Sequence, residues 1–336
     1  MNSKKVNWIF LSVILMHFAV VAAITLLGQF FTWTLDIVPN FILSQGIILI
    51  PALLGVYVSK ENLFQLAGFR KIKVSTVFKI FLFTFLSMPL TALINMISML
   101  FVDNTVAAIS GEVLEVPFLI MWFIIGIFGP FSEELVFRGI VYQGYRKSGT
   151  AFAAMLLSAL LFALMHMNFN QAAYAFAIGV MVVLLVEATG SLWSSVIFHM
   201  VFNSQQVCLM YLSDSLAGGS GLEEAEEMLT QNVLLVMISG SLIFAAAATA
   251  LAACVLVWIA KGEKRENALH AVFAERKSRI RTVQGEAGST AESAGIGKES
   301  AGRPDKMVTV PLVIGIVLAL SYMILETILM HLFALS

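Results

Sequence analysis

The chain has 336 residues, 59% hydrophobic and 12% charged, with 20 basic and 21 acidic side chains and a formal net charge of -1; its mean hydropathy is +0.91. Soluble domains carry about one-quarter charged residues, so a cytosolic enzyme and a disordered chain are excluded, and without a basic excess so is a nucleic-acid binder. Cys208 and Cys254 are the only two cysteines, too few for a disulfide framework or a zinc ribbon, and in their apolar runs they read as small packing residues.

A bilayer core ~30 Å thick takes about 20 apolar residues at ~1.5 Å rise each. Nine stretches qualify in chain order: 8–31, 38–58, 78–102, 116–147, 150–167, 171–187, 191–212, 231–260 and 308–335. They are continuous apolar runs without the alternation of barrel strands, so helices are predicted. The expected fold is an all-α polytopic integral membrane protein with about nine transmembrane helices (eight or nine). It divides into 1–115 with three helices, a four-helix core at 116–213, and 214–336 with two helices and an insertion at 261–306.

The first span is long for a signal peptide and reads as an uncleaved anchor. In the fourth, Gly129-Pro130 predicts a kink or restart. In the eighth, Ser241, Ala245, Thr249 and Ala253 recur every four residues, a close-packing stripe for another helix. The insertion starts with Leu269, Val272, Phe273 and Ile280 among basic residues over 263–283, the pattern of an interfacial amphipathic helix. Its second half, around 285–303, is Gly, Ser, Ala and Glu, and is expected to be disordered.

Every Lys and Arg falls into one of four clusters: Lys4 and Lys5; Lys60 to Lys79; Arg138, Arg146 and Lys147; Lys261 to Lys306. Nine spans from a cytoplasmic N-terminus place all four on the cytoplasmic side, as the positive-inside rule asks. The opposite loops hold Asp36, then Asp103, Glu112 and Glu115, then Asp214 and Glu223 to Glu227. No Gly-rich phosphate loop is present, so no nucleotide is expected.

Ionisable groups inside spans are expensive and mark function. They are His17, Glu133, Glu134, Arg138, His166, Glu187, His199, Glu326 and His331, and five of them, Glu133, Glu134, Arg138, His166 and His199, fall into three short patterns within 67 residues. Glu134 and Arg138, at i and i+4, share a helix face and can pair. Glu133 points about 100° away and is free to face a cavity as a base. His199 and Asn203 likewise share a face, and Phe162 lies one turn before His166. Counted from the cytoplasmic helix ends, Glu133, His166 and His199 fall roughly 21, 24 and 13 Å deep at helical rise, compatible with one site in the middle of the membrane.

One Glu, two His and an Asn support two chemistries. Glu133, His166 and His199 can hold a zinc-like ion with a water in an open position. Alternatively, Glu133 and His166 activate water while His199 and Asn203 donate to a developing oxyanion. Either hydrolyses an amide.

Glu133-Glu134-x-x-x-Arg138, Phe162-x-x-x-His166 and His199-x-x-x-Asn203, in this order on spans four, five and seven, resemble the CAAX protease and bacteriocin-processing (CPBP, or Abi) family of intramembrane endopeptidases. The resemblance covers roughly 116–213 and implies that Glu133 activates water with His166, and that His199 and Asn203 stabilise the oxyanion or assist a metal. The family is also described as metalloproteases, so zinc stays open; no His-Glu-x-x-His motif is present. The resemblance implies a prokaryotic plasma-membrane enzyme, with its site opening to the cytoplasm and a peptide or membrane-protein substrate, a prenylated chain end or a processed leader among them.

Two other classes compete: a non-catalytic immunity or scaffold protein, and a proton-coupled transporter relaying through Glu133, His166 and Glu326. His17 and His331 read as helix–helix hydrogen-bond donors, and Glu326 as their partner or the lining of a second polar pocket. Glu187 lies near a span end, within reach of interfacial water, and receives no catalytic role. Ser158, Ser194 and Ser195 lack a Gly-x-Ser-x-Gly setting, which disfavours a serine protease.

Overall fold

The computed structural model describes residues 1–31, 35–217, 230–274 and 306–334. Among them are no strands and nine principal apolar helices. These are α1 (Ser3–Phe30), α2 (Ile37–Val58), α3 (Val74–Ser98), α4 (Phe118–Arg146), α5 (Ala151–Leu164), α6 (Phe169–Thr189), α7 (Leu192–Ala217), α8 (Gln231–Gly262) and α9 (Val310–Ala334). Their boundaries follow local chemistry. The Thr150 hydroxyl accepts the Ala153 N–H at 3.2 Å and the Asn168 side chain that of Gln171 at 2.8 Å, each capping a helix start. Gly190, at φ 72°, closes α6 in the left-handed conformation.

Each predicted span is occupied by a helix, yet among the described residues seven, not nine, are long and apolar enough to cross a membrane. Helix α5 has 14 residues, about 21 Å at helical rise, too short for a ~30 Å core. Helix α7 is long enough, but Asn203, Ser204, Gln205, Gln206 and Asp214 dilute its hydropathy. Both sit against other helices: α5 on α4 and α6, α7 on α3, α4 and α6. Where Gly179 of α6 meets α5, an added Cβ would lie 2.8 Å from the Ala159 backbone, so only glycine permits that approach.

The fourth span does not restart at Gly129-Pro130. It runs on as a π-helix over Trp122–Phe128, an α-helix over Gly129–Glu134 and a second π-helix over Leu135–Tyr142. Pro130 sits in the first turn of the α segment, where a missing N–H matters least. Gly129 N–H reaches back five residues to the Ile124 carbonyl. Such wide turns concentrate at functional sites.

The small-residue stripe of α8 is only partly correct. Ala245 is buried, but the buried line continues through Ala248, Ala252, Val255 and Ile259, and Ala253 is exposed. A strict four-residue repeat rotates by about 40° per step on a helix of ~3.6 residues per turn, so it leaves the contact face. Cys208 and Cys254 are exposed on the chain and are not packing residues; in a lipid-facing span, small apolar side chains need no protein partner. Of the amphipathic segment, 266–274 is helical with Leu269 and Val272 buried, and Phe273 lies 6.2 Å from the Phe152 ring. It therefore packs on the bundle. Ile280, the Gly/Ser/Ala-rich half and the Glu223 to Glu227 loop lie outside the described residues.

The basic clusters gather at one end of the bundle. Lys73 contacts the Gly262 carbonyl and Lys79 lies 4.2 Å over the Trp258 ring. Ser3 bonds Ser148 and the Lys306 carbonyl, and Asn7 bonds Met307, Thr309 and Tyr145. Arg138 is the exception: it is wholly buried and belongs to no surface cluster. Thr105, Asn168 and Asn170 join one another at the opposite end.

Candidate active site

The three motifs come together. Glu134 and Arg138 are both fully buried and paired at 2.8 Å. The same Glu134 oxygen, Oε1, also lies 2.9 Å from His199 Nδ1. A carboxylate only accepts, so His199 carries its hydrogen on Nδ1 and turns Nε2 away from Glu134. That nitrogen lies 3.8 Å from Glu133 Oε2. Glu133 keeps partial exposure, 17% of its side chain against none for Glu134, and faces a cavity of about 880 Å³.

His166 is set by the same logic. Its Nδ1 lies 3.0 Å from the Phe162 carbonyl, an acceptor, so the hydrogen is again on Nδ1 and the Nε2 lone pair is presented outward. Helix α5 ends at Leu164, so His166 stands on the turn into α6, not within a helix as its spacing predicted. The turn is fixed: Met167 adopts φ 55°, a left-handed conformation strained for a side chain of its size. Asn168 holds it by donating to the His166 carbonyl at 2.7 Å while capping α6.

Phe162 is the hub. Its ring meets His166 and His199 edge-on at 5.0 and 5.8 Å, and the Arg138 guanidinium stacks 4.1 Å over it. Ser158 Oγ donates to the Phe137 carbonyl at 3.0 Å, pinning α5 to the second π-helix, a structural role spacing did not reveal. Asn203 donates one amide hydrogen to the Ile125 carbonyl at 3.1 Å in the first π-helix and keeps a second.

Among the described residues, no three His, Cys, Asp or Glu side chains are grouped so as to hold a metal ion. Glu133, His166 and His199 present suitable donors, but not as a three-ligand cage.

The cavity includes Glu133, Phe162, His166, His199 and Asn203 in its lining, and from Glu133, Phe137 and His199 it extends to Asn104, Val106, Ile109 and Val113. These last belong to the end remote from the basic clusters, and no Lys or Arg lines the space. The cavity thus runs from the motif residues towards the end of the bundle remote from the basic clusters.

Other intramembrane groups have other settings. Glu187 accepts from Tyr142 at 2.6 Å and faces Arg146 and Arg265 at 3.9 Å each, so it anchors the start of the insertion. Glu326 lines a second polar cavity of about 460 Å³ with Asp103, Asn104, Thr105, Asn168 and Asn170. His17 lines the large cavity, with its ring edge-on to Tyr322 at 5.4 Å and no hydrogen-bond partner for Nε2 among the described residues; it does not tie helices together through that atom. The side chain of His331 lies outside the described residues.

Known proteins bear on this geometry. Residues 115–205 match the family model of Rce1-like type II CAAX prenyl endopeptidases. A Bacillus subtilis (strain 168) protein named "Putative membrane peptidase YdiL" is 28% identical over 102 residues, covering 30% of this chain and 41% of that relative. The match therefore spans less than half the relative's length. No solved structure matches. The stretch that carries the three motifs, 115–205, is thus the part of the chain that is similar to the Rce1-like CAAX prenyl endopeptidases.

Proposed function

We propose that the protein is an intramembrane endopeptidase in which Glu133 is the base that activates water. The observation that carries this reading is the unequal treatment of two adjacent carboxylates. Glu134 is fixed by Arg138 and His199, whereas Glu133 faces the cavity beside the Nε2 of His199. A water between Glu133 and the lone pair of His166 Nε2 gives a proton to Glu133 as its oxygen attacks the scissile carbonyl carbon. The carbonyl π electrons move to oxygen, and the free amide hydrogen of Asn203 meets the resulting charge.

Passage of that proton from Glu133 to His199 Nε2 makes an imidazolium held by Glu134, a second donor to the oxyanion. The oxyanion then collapses, the C–N bond breaks, and the leaving nitrogen takes the proton, giving a carboxylic acid and an amine. The substrate is a membrane-associated peptide, a prenylated chain end or a processed leader among the options. Support comes from the mainly apolar lining of the cavity and from the peptidase names of the matching family and relative. Entry is from the end remote from the basic clusters.

The test is purified protein with a peptide library, with and without chelator, beside Glu133→Gln. Cleavage is expected to fall ~10²–10⁴-fold in the variant at unchanged unfolding midpoint. Cleavage that survives both Glu133→Gln and His166→Ala removes the assignment. Chelator-sensitive cleavage replaces the proton relay with a metal-bound water.

A further inference from the structure

The large cavity contains a polar group that the hydrolytic scheme does not use. Gln45 of α2 lines it and is 7% exposed, yet its Oε1 has no hydrogen-bond partner among the described residues. Its Nε2 has one contact of 3.5 Å to Ser44 Oγ, at the limit of a hydrogen bond. A buried amide left this way costs about as much as a lost hydrogen bond, and such groups are normally satisfied. On the neighbouring wall of α2, Phe41, Ile47 and Ile48 are apolar and Ser44 donates its hydroxyl to the Phe41 carbonyl at 2.7 Å, so nothing there satisfies Oε1.

Its position relates it to the reacting bond. A Cβ on Gly129 would lie 3.7 Å from Gln45 Nε2, so the amide sits against Gly129 of α4. Glu133 follows Gly129 by four residues within one α-helical segment, about one turn or ~6 Å along the axis. An extended peptide advances ~3.3 Å per residue. A chain with its scissile carbonyl at Glu133 therefore passes Gln45 about two residues away. A peptide main chain offers alternating N–H and C=O groups, which an unpaired side-chain amide complements in either orientation.

We propose that Gln45 is a substrate-holding residue that hydrogen-bonds the main chain of the bound peptide about two residues from the bond presented to Glu133. The assignment rests on the peptidase reading of the cavity and adds to it a sequence-independent grip on the substrate. Its consequence is that the enzyme registers extended backbone beside the cleaved bond, so a substrate whose amide there is blocked binds poorly whatever its side chains.

The experiment uses full-length, detergent-solubilised Glu133→Gln protein to retain its tightest binder from a mixed library of 12-residue peptides. Affinity for that peptide and for its single N-methyl derivatives is then measured with Gln45 intact and with Gln45→Met added. The Gln45→Met change should weaken binding about tenfold without lowering the unfolding midpoint, because the amide's one native contact, at 3.5 Å to Ser44 Oγ, is at the limit of a hydrogen bond. One N-methyl position should cost the Gln45 protein about tenfold and the Gln45→Met protein nothing. Gln45→Asn, which withdraws the amide by one methylene, serves if the Met variant does not fold.

Unchanged affinity, the same N-methyl penalties in both proteins, no retained peptide, or loss of folding in both variants overturns the assignment. If the wild type cleaves the retained peptide but the coupling is missing, Gln45 falls and the peptidase reading stands. If the coupling is present but the wild type does not cleave, the reverse holds.

Discussion

Two glutamate-centred clusters meet α4, one around its own Glu134 and one around Glu187 of α6, and they solve the same problem in opposite ways. Glu134 holds Arg138 at 2.8 Å and His199 at 2.9 Å, with the two glutamate and arginine side chains fully buried. Glu187 holds Tyr142 at 2.6 Å but meets Arg146 and Arg265 only at 3.9 Å, each arginine side chain 32% exposed. The first cluster is dry, short and central; the second is wetter, longer and at the basic end. Where water is absent, each charge depends on its partner, because unpaired charge in low dielectric is severely penalised. Where water reaches, the partners are interchangeable and individually weak.

Removing one member of the dry cluster should give the largest stability effect. Arg138→Met leaves Glu134 charged and buried without its cationic partner, and a loss of about 3–5 kcal/mol is expected, read as a lowered denaturation midpoint in detergent. Adding Glu134→Leu should restore most of that stability, since an apolar pair of similar volume is tolerated where an ion pair stood. Cleavage should not return, because His199 then lacks the acceptor that fixes its hydrogen on Nδ1. If the double variant is as unstable as the single, the pair is not a closed unit and the contrast with Glu187 is lost.

At the boundary between the clusters, Tyr142→Phe removes a hydroxyl that bonds a carboxylate while leaving the buried ring. A loss of about 1.5 kcal/mol is expected, with the rate of cleavage unchanged, because Glu187 lies outside the large cavity. A drop in cleavage at matched folded fraction would join the two clusters into one functional unit.

The sequence displays the halves of this contrast unequally. The Glu134–Arg138 pair is legible because i and i+4 share a helix face. The Glu134–His199 bond is not, since it joins residues 65 positions apart and depends on how α7 packs against α4. The role of Phe162 follows from its turn-spacing to His166, but the stacked Arg138 does not. The π-helices leave no periodic trace in an apolar run, and Gly129-Pro130 marks their place without their form. The end of α5 at Leu164 was open to reading through Asn168, a capping residue type, though the apolar run continues past it. Gln45 is uncharged, and a scan for ionisable groups passes over it; an amide well inside the apolar 38–58 span, beyond Asn40 at its start, is its signal.

The smallest effect should come from Arg265. Its guanidinium approaches Glu187 Oε2 at 3.9 Å and donates from Nε to the Glu187 carbonyl at 2.9 Å. Glu187 keeps Tyr142 and Arg146 without it. Arg265→Met should therefore cost under ~1 kcal/mol, and that cost should shrink further as salt rises, because charges open to water are screened within ~10 Å at 0.1 M ionic strength. The Arg138→Met penalty should be nearly indifferent to salt, since no ions reach a fully buried pair. Denaturation midpoints of both variants against ionic strength give the comparison directly. A salt-independent cost at Arg265 comparable to that at Arg138 would mean that the start of the insertion is sealed from solvent, and that the basic end of the bundle is as dry as its centre.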